Sequence, residues 1–263
     1  IVFLLEKLRR KVVRNYKIPT LTIAGSDSSG GAGIQADLKT FSAIGTYGMS
    51  VITAITAQNT EGVFNVEELS SEIIKSQIKA VCEDIMPNSI KIGMVSSPEI
   101  ILDIAESLKK YPCKYIVVDP VMISKSGYSL LRPEAKENLI KYLIPMAYIV
   151  TPNIPEAEEI SNMKIETVED MKKAGKEILK LGPKYVLMKG GHLEGDAVDI
   201  LIGEDTFEIY KSERIDRKNT HGTGCTLSSA ITSHLALGYD IVEAVKLSKE
   251  YITEAIRHSF DIG

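Results

Sequence analysis

Ala24-Gly25-Ser26-Asp27-Ser28-Ser29-Gly30-Gly31-Ala32-Gly33-Ile34-Gln35-Ala36-Asp37 follows the apolar run Leu21 to Ala24 and opens the amphipathic stretch Ala32 to Ile44. A strand that stops at a glycine-rich loop from which a helix starts is the opening unit of an α/β fold. The loop holds four glycines, more than a turn requires, and glycine lets the backbone approach a ligand closely.

Outward from this unit the alternation continues. Further strands are expected at Ser50 to Ala57, Ser89 to Ile92, Tyr115 to Val118, Tyr148 to Val150 and Tyr185 to Met188. Helical patterns fall at Glu67 to Ile85, Pro98 to Lys110, Pro133 to Leu143, Val168 to Leu181, Gly224 to Leu237 and Ile241 to His258. Together they predict a doubly wound, mostly parallel sheet with helices on both faces. Ala197 to Arg214 carries two alternating runs around Gly203-Glu204-Asp205 and reads as an antiparallel hairpin at the sheet's edge.

No internal repeat or Pro/Ser-rich linker divides the chain, so residues 19–263 read as a single domain and residues 1–18 as an N-terminal extension. The opening Ile1-Val2-Phe3-Leu4-Leu5 is too short to span a bilayer and runs into charge, as an amphipathic leader would.

The chain has 263 residues, 44% of them hydrophobic, enough for a sizeable core. With 31 Lys plus Arg against 35 Asp plus Glu, its net charge of -4 offers no global attraction to nucleic acid or an anionic membrane. Any phosphate must be held locally. Cys82, Cys113 and Cys225 have neither disulfide-framework nor zinc spacing, which fits a reducing cytoplasm.

Two phosphate-binding patterns fail. Gly31-Ala32-Gly33-Ile34-Gln35-Ala36 matches a relaxed dinucleotide pattern, but a loop precedes it and the second strand ends at Ala57-Gln58, not at a ribose-binding acid. No G-x-x-x-x-G-K-[ST] occurs. The anion cradle is instead expected in Asn219-Thr220-His221-Gly222-Thr223-Gly224-Cys225-Thr226, where glycines open a helix and leave its first N–H groups outward. Cys225, in that first turn, is expected to have a depressed pKa and to accept a proton near neutrality. Cys82 and Cys113 read as buried hydrophobes.

At the strand ends, Asp119, Asn153 and Glu156 supply oxygens that suit Mg²⁺, partly through water. Lys189, followed by Gly190-Gly191, is placed to neutralise a transferring phosphate. His192 and His221 adjoin these motifs and are assigned no catalytic role.

The early Ala24 to Asp37 motif and the late Asn219 to Ala230 motif resemble those of the hydroxymethylpyrimidine/phosphomethylpyrimidine kinases of thiamine biosynthesis, from about Thr20 onward. One departure is Ser28, where many family members carry Pro. The resemblance implies a ribokinase-like three-layer αβα sandwich with a mostly parallel central sheet and a small antiparallel edge hairpin. It implies two ATP-dependent phosphorylations with Mg²⁺, of 4-amino-5-hydroxymethyl-2-methylpyrimidine and then of its monophosphate, in a homodimer.

By matched position, the resemblance implies that Gly25, Asp37, Gln58 and Met94 bind the pyrimidine and that Asn153, Glu156, Lys189 and Thr223 bind nucleotide phosphates. Asp119 and Glu156 are then expected to serve the metal, and Gly222, Thr223, Gly224, Cys225 and Lys189 to carry catalysis. A pyridoxal kinase of the same superfamily, a non-catalytic nucleotide-binding regulator and a dehydrogenase are the competing readings; Gln58, Cys225 and the missing ribose acid weigh against them.

Overall fold

The computed structural model describes residues 18–123, 130–191, 197–212, 215, 217 and 220–259. The expected leader, His192, Arg214 and Asn219 lie outside these residues.

The elements run β1 (Pro19–Asp27), α1 (Gly33–Ile44), β2 (Tyr47–Gln58), β3 (Val63–Glu68), α2 (Ser71–Asp84), β4 (Ser89–Ile92), α3 (Pro98–Lys110), β5 (Tyr115–Val118), α4 (Pro133–Asn138), β6 (Ile149–Val150), α5 (Ile154–Ser161), α6 (Val168–Leu179), β7 (Tyr185–Lys189), β8 (Ala197–Gly203), β9 (Phe207–Ser212), α7 (Thr223–Ala236) and α8 (Ile241–Arg257). One nine-stranded sheet has the order β3-β2-β1-β4-β5-β6-β7-β8-β9. Its inner strands from β2 to β7 are parallel, and β3, β8 and β9 are antiparallel. The strand order reverses between β1 and β4, so the crevice beyond their carboxyl ends is where a ligand belongs.

Period-two alternation sends side chains into two apolar layers. Ile116, Val118, Val186 and Met188 face the layer shared with helices α2 to α6. Val117 and Leu187 face Leu227, Ile231 and Val245 of helices α7 and α8. Under β1 and β4 this second layer turns polar: Ser229 Oγ donates to Asp37 at 2.6 Å and Ser89 Oγ to the Thr232 carbonyl at 2.8 Å. Small hydroxyl residues let α7 lie close to the sheet and leave room for a buried ion pair.

The edge hairpin is present, with Ile202 opposite Phe207. Two expectations need correction, and one helix was missed. The helix expected from Glu67 starts at Ser71, because Val63–Glu68 pairs antiparallel with β2; Ser70 caps the helix instead, accepting from the Ile73 N–H. The helix from Pro133 keeps α geometry only to Asn138, then widens into a π-helical turn (Leu139–Leu143) and a 3₁₀ turn (Ile144–Met146) containing Pro145. Helix α5, absent from the sequence reading, is built on a capping box between Asn153 and Glu156.

Candidate active site

A cavity of about 990 Å³ opens over the carboxyl ends of β1, β2, β4, β5 and β7. One end is formed by the early glycine loop. A bulge in β2 opposite Gly25 advances β2 by one residue, carrying Thr56 and Gln58 toward the loop. Gly25 backs onto Met94, whose Sδ lies 2.9 Å from where a Cβ at position 25 would stand. Ser28 bridges the Gln58 main chain, accepting from its N–H and donating to its carbonyl, each at 2.8 Å.

Asp27 organises the loop. Its carboxylate accepts from Ser29 N–H and O–H at 2.9 and 2.8 Å, and from the Gly31 and Ala32 N–H groups at 3.1 and 2.8 Å. His221 Nε2 lies 2.9 Å away. Burial alone would raise Asp27, but His221 and the loop donors outweigh it and hold the group well below the carboxylate range.

The other end is the opening of α7. Gly222 holds φ of 76°, the Thr223 N–H reaches back to the Thr220 carbonyl at 3.4 Å and no side chain caps the helix, so its remaining first-turn N–H groups and the positive end of the dipole are available to an anion. Its neighbourhood is charged. Lys189 Nζ sits 2.9 Å from Asp119 Oδ1 and 3.9 Å from Glu156 Oε2. Burial would lower Lys189, but Asp119 and then Glu156 hold it above its ordinary value. Asp119 moves the opposite way: burial would raise it, and Lys189 and Lys91 with donors from Lys189 and Thr151 bring it below the usual range. Glu156 is left with the smaller share of the cation, and burial beside Asp119 pushes it up to about 7.

These two carboxylates fit magnesium through water. Asp119 Oδ1 already accepts from Lys189 and Thr151, and its Oδ2 lies 3.2 Å from Ser228 Oγ. Glu156 Oε2 accepts the Asn153 N–H at 2.8 Å. Two buried acids sharing one close ammonium leave negative charge for a hydrated cation, while a cage of three or more acidic or imidazole ligands is absent among the described residues.

Cys225 faces the cavity from the first turn of α7. The depressed pKa expected from sequence is not met: burial pushes the thiol up to about 11, reinforced by Asp37 and Asp119 and only partly offset by Lys91 and the Gly33 N–H. A helix terminus lowers a thiol that water can reach, and here desolvation dominates.

Gly25, Gln58, Met94, Asp119, Asn153, Glu156, Lys189, Gly222, Thr223, Gly224 and Cys225 all line the cavity. Asp37 does not. It is fully buried beneath the floor, where Lys91 Nζ donates at 2.8 and 3.0 Å, Thr22 Oγ1 at 2.6 Å and Ser229 Oγ at 2.6 Å. Its partner Lys91 reaches the wall and was missed from sequence. The available signal was a lysine within Ser89-Ile90-Lys91-Ile92, since a charge in an otherwise apolar inner strand requires a buried counter-charge. Asp27 and His221 were also passed over as site groups.

Comparison with known proteins agrees with this geometry. The profile of a family described as Phosphomethylpyrimidine kinase matches residues 27–263. The chain is 51% identical over 238 residues to the hydroxymethylpyrimidine/phosphomethylpyrimidine kinase of Rhizobium meliloti, covering 90% of this chain and 89% of that one. It is 44% identical over 245 residues to the enzyme of the same name in Bacillus subtilis, covering 92% and 90%. Among solved structures it is similar to a phosphomethylpyrimidine kinase from Clostridium difficile 630, at 76% identity and a TM-score of 0.84, covering 91% of this chain and 100% of that one. It is also similar to a Bacillus subtilis pyridoxal kinase in an ADP complex, at 42% identity and a TM-score of 0.87, covering 94% of each.

Proposed function

This chain belongs to the phosphomethylpyrimidine kinase family, and on that premise we propose that it phosphorylates 4-amino-5-hydroxymethyl-2-methylpyrimidine and then the monophosphate, using ATP, in thiamine biosynthesis. The observation that carries the reading is the opening of α7 and Lys189 into the same cavity as Gln58. A phosphoryl group at the helix terminus and an aminopyrimidine at the β2 end then share one enclosure.

Phosphoryl transfer asks mainly for positioning and charge stabilisation. The Gly222 to Cys225 N–H groups receive the charge that develops on the transferring oxygens, and Lys189 shields it from Asp119. Thr223 and the Asn153 amide flank the nucleotide phosphates. Magnesium bound with the nucleotide would neutralise phosphate charge, held by Asp119 and Glu156 through water. At the far end the Gln58 carboxamide offers a donor and an acceptor to the pyrimidine's amino and ring-nitrogen edge, and Gly25 and Met94 close the pocket.

The two acceptors differ. The alcohol must shed a proton as it attacks, and Cys225 is the base assigned to it. The phosphomonoester is already anionic at neutral pH and needs no base. Lys91, which lowers the thiol against its burial, is the cation that supports the thiolate. We place the enzyme in the cytoplasm as a homodimer that takes up small molecules, with neither nucleic acid nor membrane as partner. No helix among the described residues is long and apolar enough to cross a membrane.

A second reading is favoured by one finding, the likeness to pyridoxal kinases. The deciding experiment incubates purified protein with Mg-ATP and either the hydroxymethylpyrimidine or pyridoxal and resolves products by mass. The expected result is a pyrimidine mono- and diphosphate. Transfer to pyridoxal alone would replace this reading with the second.

A further inference from the structure

We infer that His221 is a positioning residue for the substrate: bound through its Nε2–H to Asp27, it leaves the neighbouring Gln58 amide N–H without an acceptor among the described residues. The inference rests on the pyrimidine reading above and adds a part to it.

His221 Nε2 lies 2.9 Å from Asp27 Oδ2 and 3.2 Å from Gln58 Nε2. One ring nitrogen cannot serve both. Asp27 is buried, accepts from the N–H groups of Ser29, Gly31 and Ala32, and is held anionic. An anionic oxygen at this distance demands a donor, so Nε2 carries a proton and has no lone pair left for Gln58. The Gln58 oxygen is scarcely better served. Thr56 Oγ1 stands 3.2 Å from it, but that hydroxyl oxygen lies 2.7 Å from the Ser26 carbonyl oxygen, the nearer acceptor for its single proton.

Gln58 is held through its main chain by Ser28, and its carboxamide keeps hydrogen-bonding capacity for a ligand. A carboxamide edge is complementary to a ring nitrogen beside an amino group. The imidazole cannot drift from this position: its Cδ2 packs against Gly31, where a Cβ would come within 2.6 Å, and the next residue, Gly222, is locked against the same loop.

Two measurements test the inference. In a long-range ¹H–¹⁵N spectrum of the free protein, the His221 signals, assigned by their loss in His221→Phe, should show a protonated Nε2. A bare Nε2 lone pair would overturn the proposal without reference to any substrate. In steady-state kinetics, His221→Phe should raise KM for the pyrimidine roughly 10–100-fold, the weight of a hydrogen bond to an ionised partner, and leave KM for ATP within about twofold. His221→Gln, whose amide N–H reaches toward Asp27, should recover most of the loss. Equal changes in both KM values, or an unchanged pyrimidine KM, would refute it. Failure of the wild-type protein to phosphorylate the pyrimidine would instead remove the substrate reading, while the spectrum still decides the His221–Asp27 geometry.

Discussion

The carbonyl oxygen of Gly31 fills the space in which any Cβ on Gly222 would stand. Two glycine loops from opposite ends of the chain thus interlock, backbone against backbone. The opening of α7 is held directly against the early glycine loop.

Gly222→Ala should therefore damage catalysis as well as stability. The residue has φ of 76°, costly for alanine, and its methyl must displace Gly31. Turnover should fall roughly 10²–10³-fold, as when an oxyanion donor is misplaced, with stability lower by about 1–3 kcal/mol. Wild-type turnover in this variant would show that the interlock is dispensable.

Lys91 and Asp37 form a pair in which neither side chain is exposed. Lys91→Met would leave a buried carboxylate with only hydroxyl donors, at a cost of about 3–5 kcal/mol. Adding Asp37→Leu removes the stranded charge and should recover part of that loss. Denaturant titration of both variants checks this; a single variant as stable as wild type would contradict it.

Glu156 should make the free protein less stable as pH rises. Its folded pKa of about 7 lies above the ordinary value of 4.5, so the native state binds more protons than the unfolded chain between these values. Stability then falls as pH climbs through that window. Glu156→Gln keeps the helix cap and should melt higher than wild type at neutral pH, by an order of 1–3 kcal/mol, with the gap closing below about pH 4.5. Its kinase activity should drop. A gap independent of pH would assign the effect to packing.

Cys225 should give the two half-reactions different pH dependences. With its thiol near 11, the thiolate fraction at neutrality is small and grows about tenfold per pH unit. Single-turnover phosphorylation of the alcohol should climb with pH, and that of the phosphomonoester should stay flat once its second ionisation is complete, above roughly pH 6. Cys225→Ala should slow the first step by roughly 10²–10⁴ and abolish its slope. Equal, small losses in both steps would leave the cradle N–H groups as the sole contribution of this turn.

Much of the architecture was legible in the amino-acid order. Ser89–Ile92, Tyr115–Val118 and Pro98–Lys110 have the expected bounds, because inner parallel strands are short apolar runs and Pro98 with Lys109-Lys110 marks a helix at both ends. Strand β3 was not legible. Val63–Glu68 has little apolar alternation, and only pairing with β2 makes it a strand. Helix α5 was hidden for a similar reason, since it is short and its start depends on a reciprocal cap.

By itself the sequence determined the two glycine motifs, the residue types at the strand ends and, from these, the family. Only the tertiary structure decided what each charge experiences. Asp37 and Lys91 are buried as a pair, Glu156 is raised by sharing Lys189 with Asp119, and Cys225 is raised where position in a helix predicted the reverse. Residue spacing encodes which groups a helix or strand presents along one segment. Desolvation and Coulomb interaction depend on distances between segments far apart in the chain, which exist only once the sheet has brought them together.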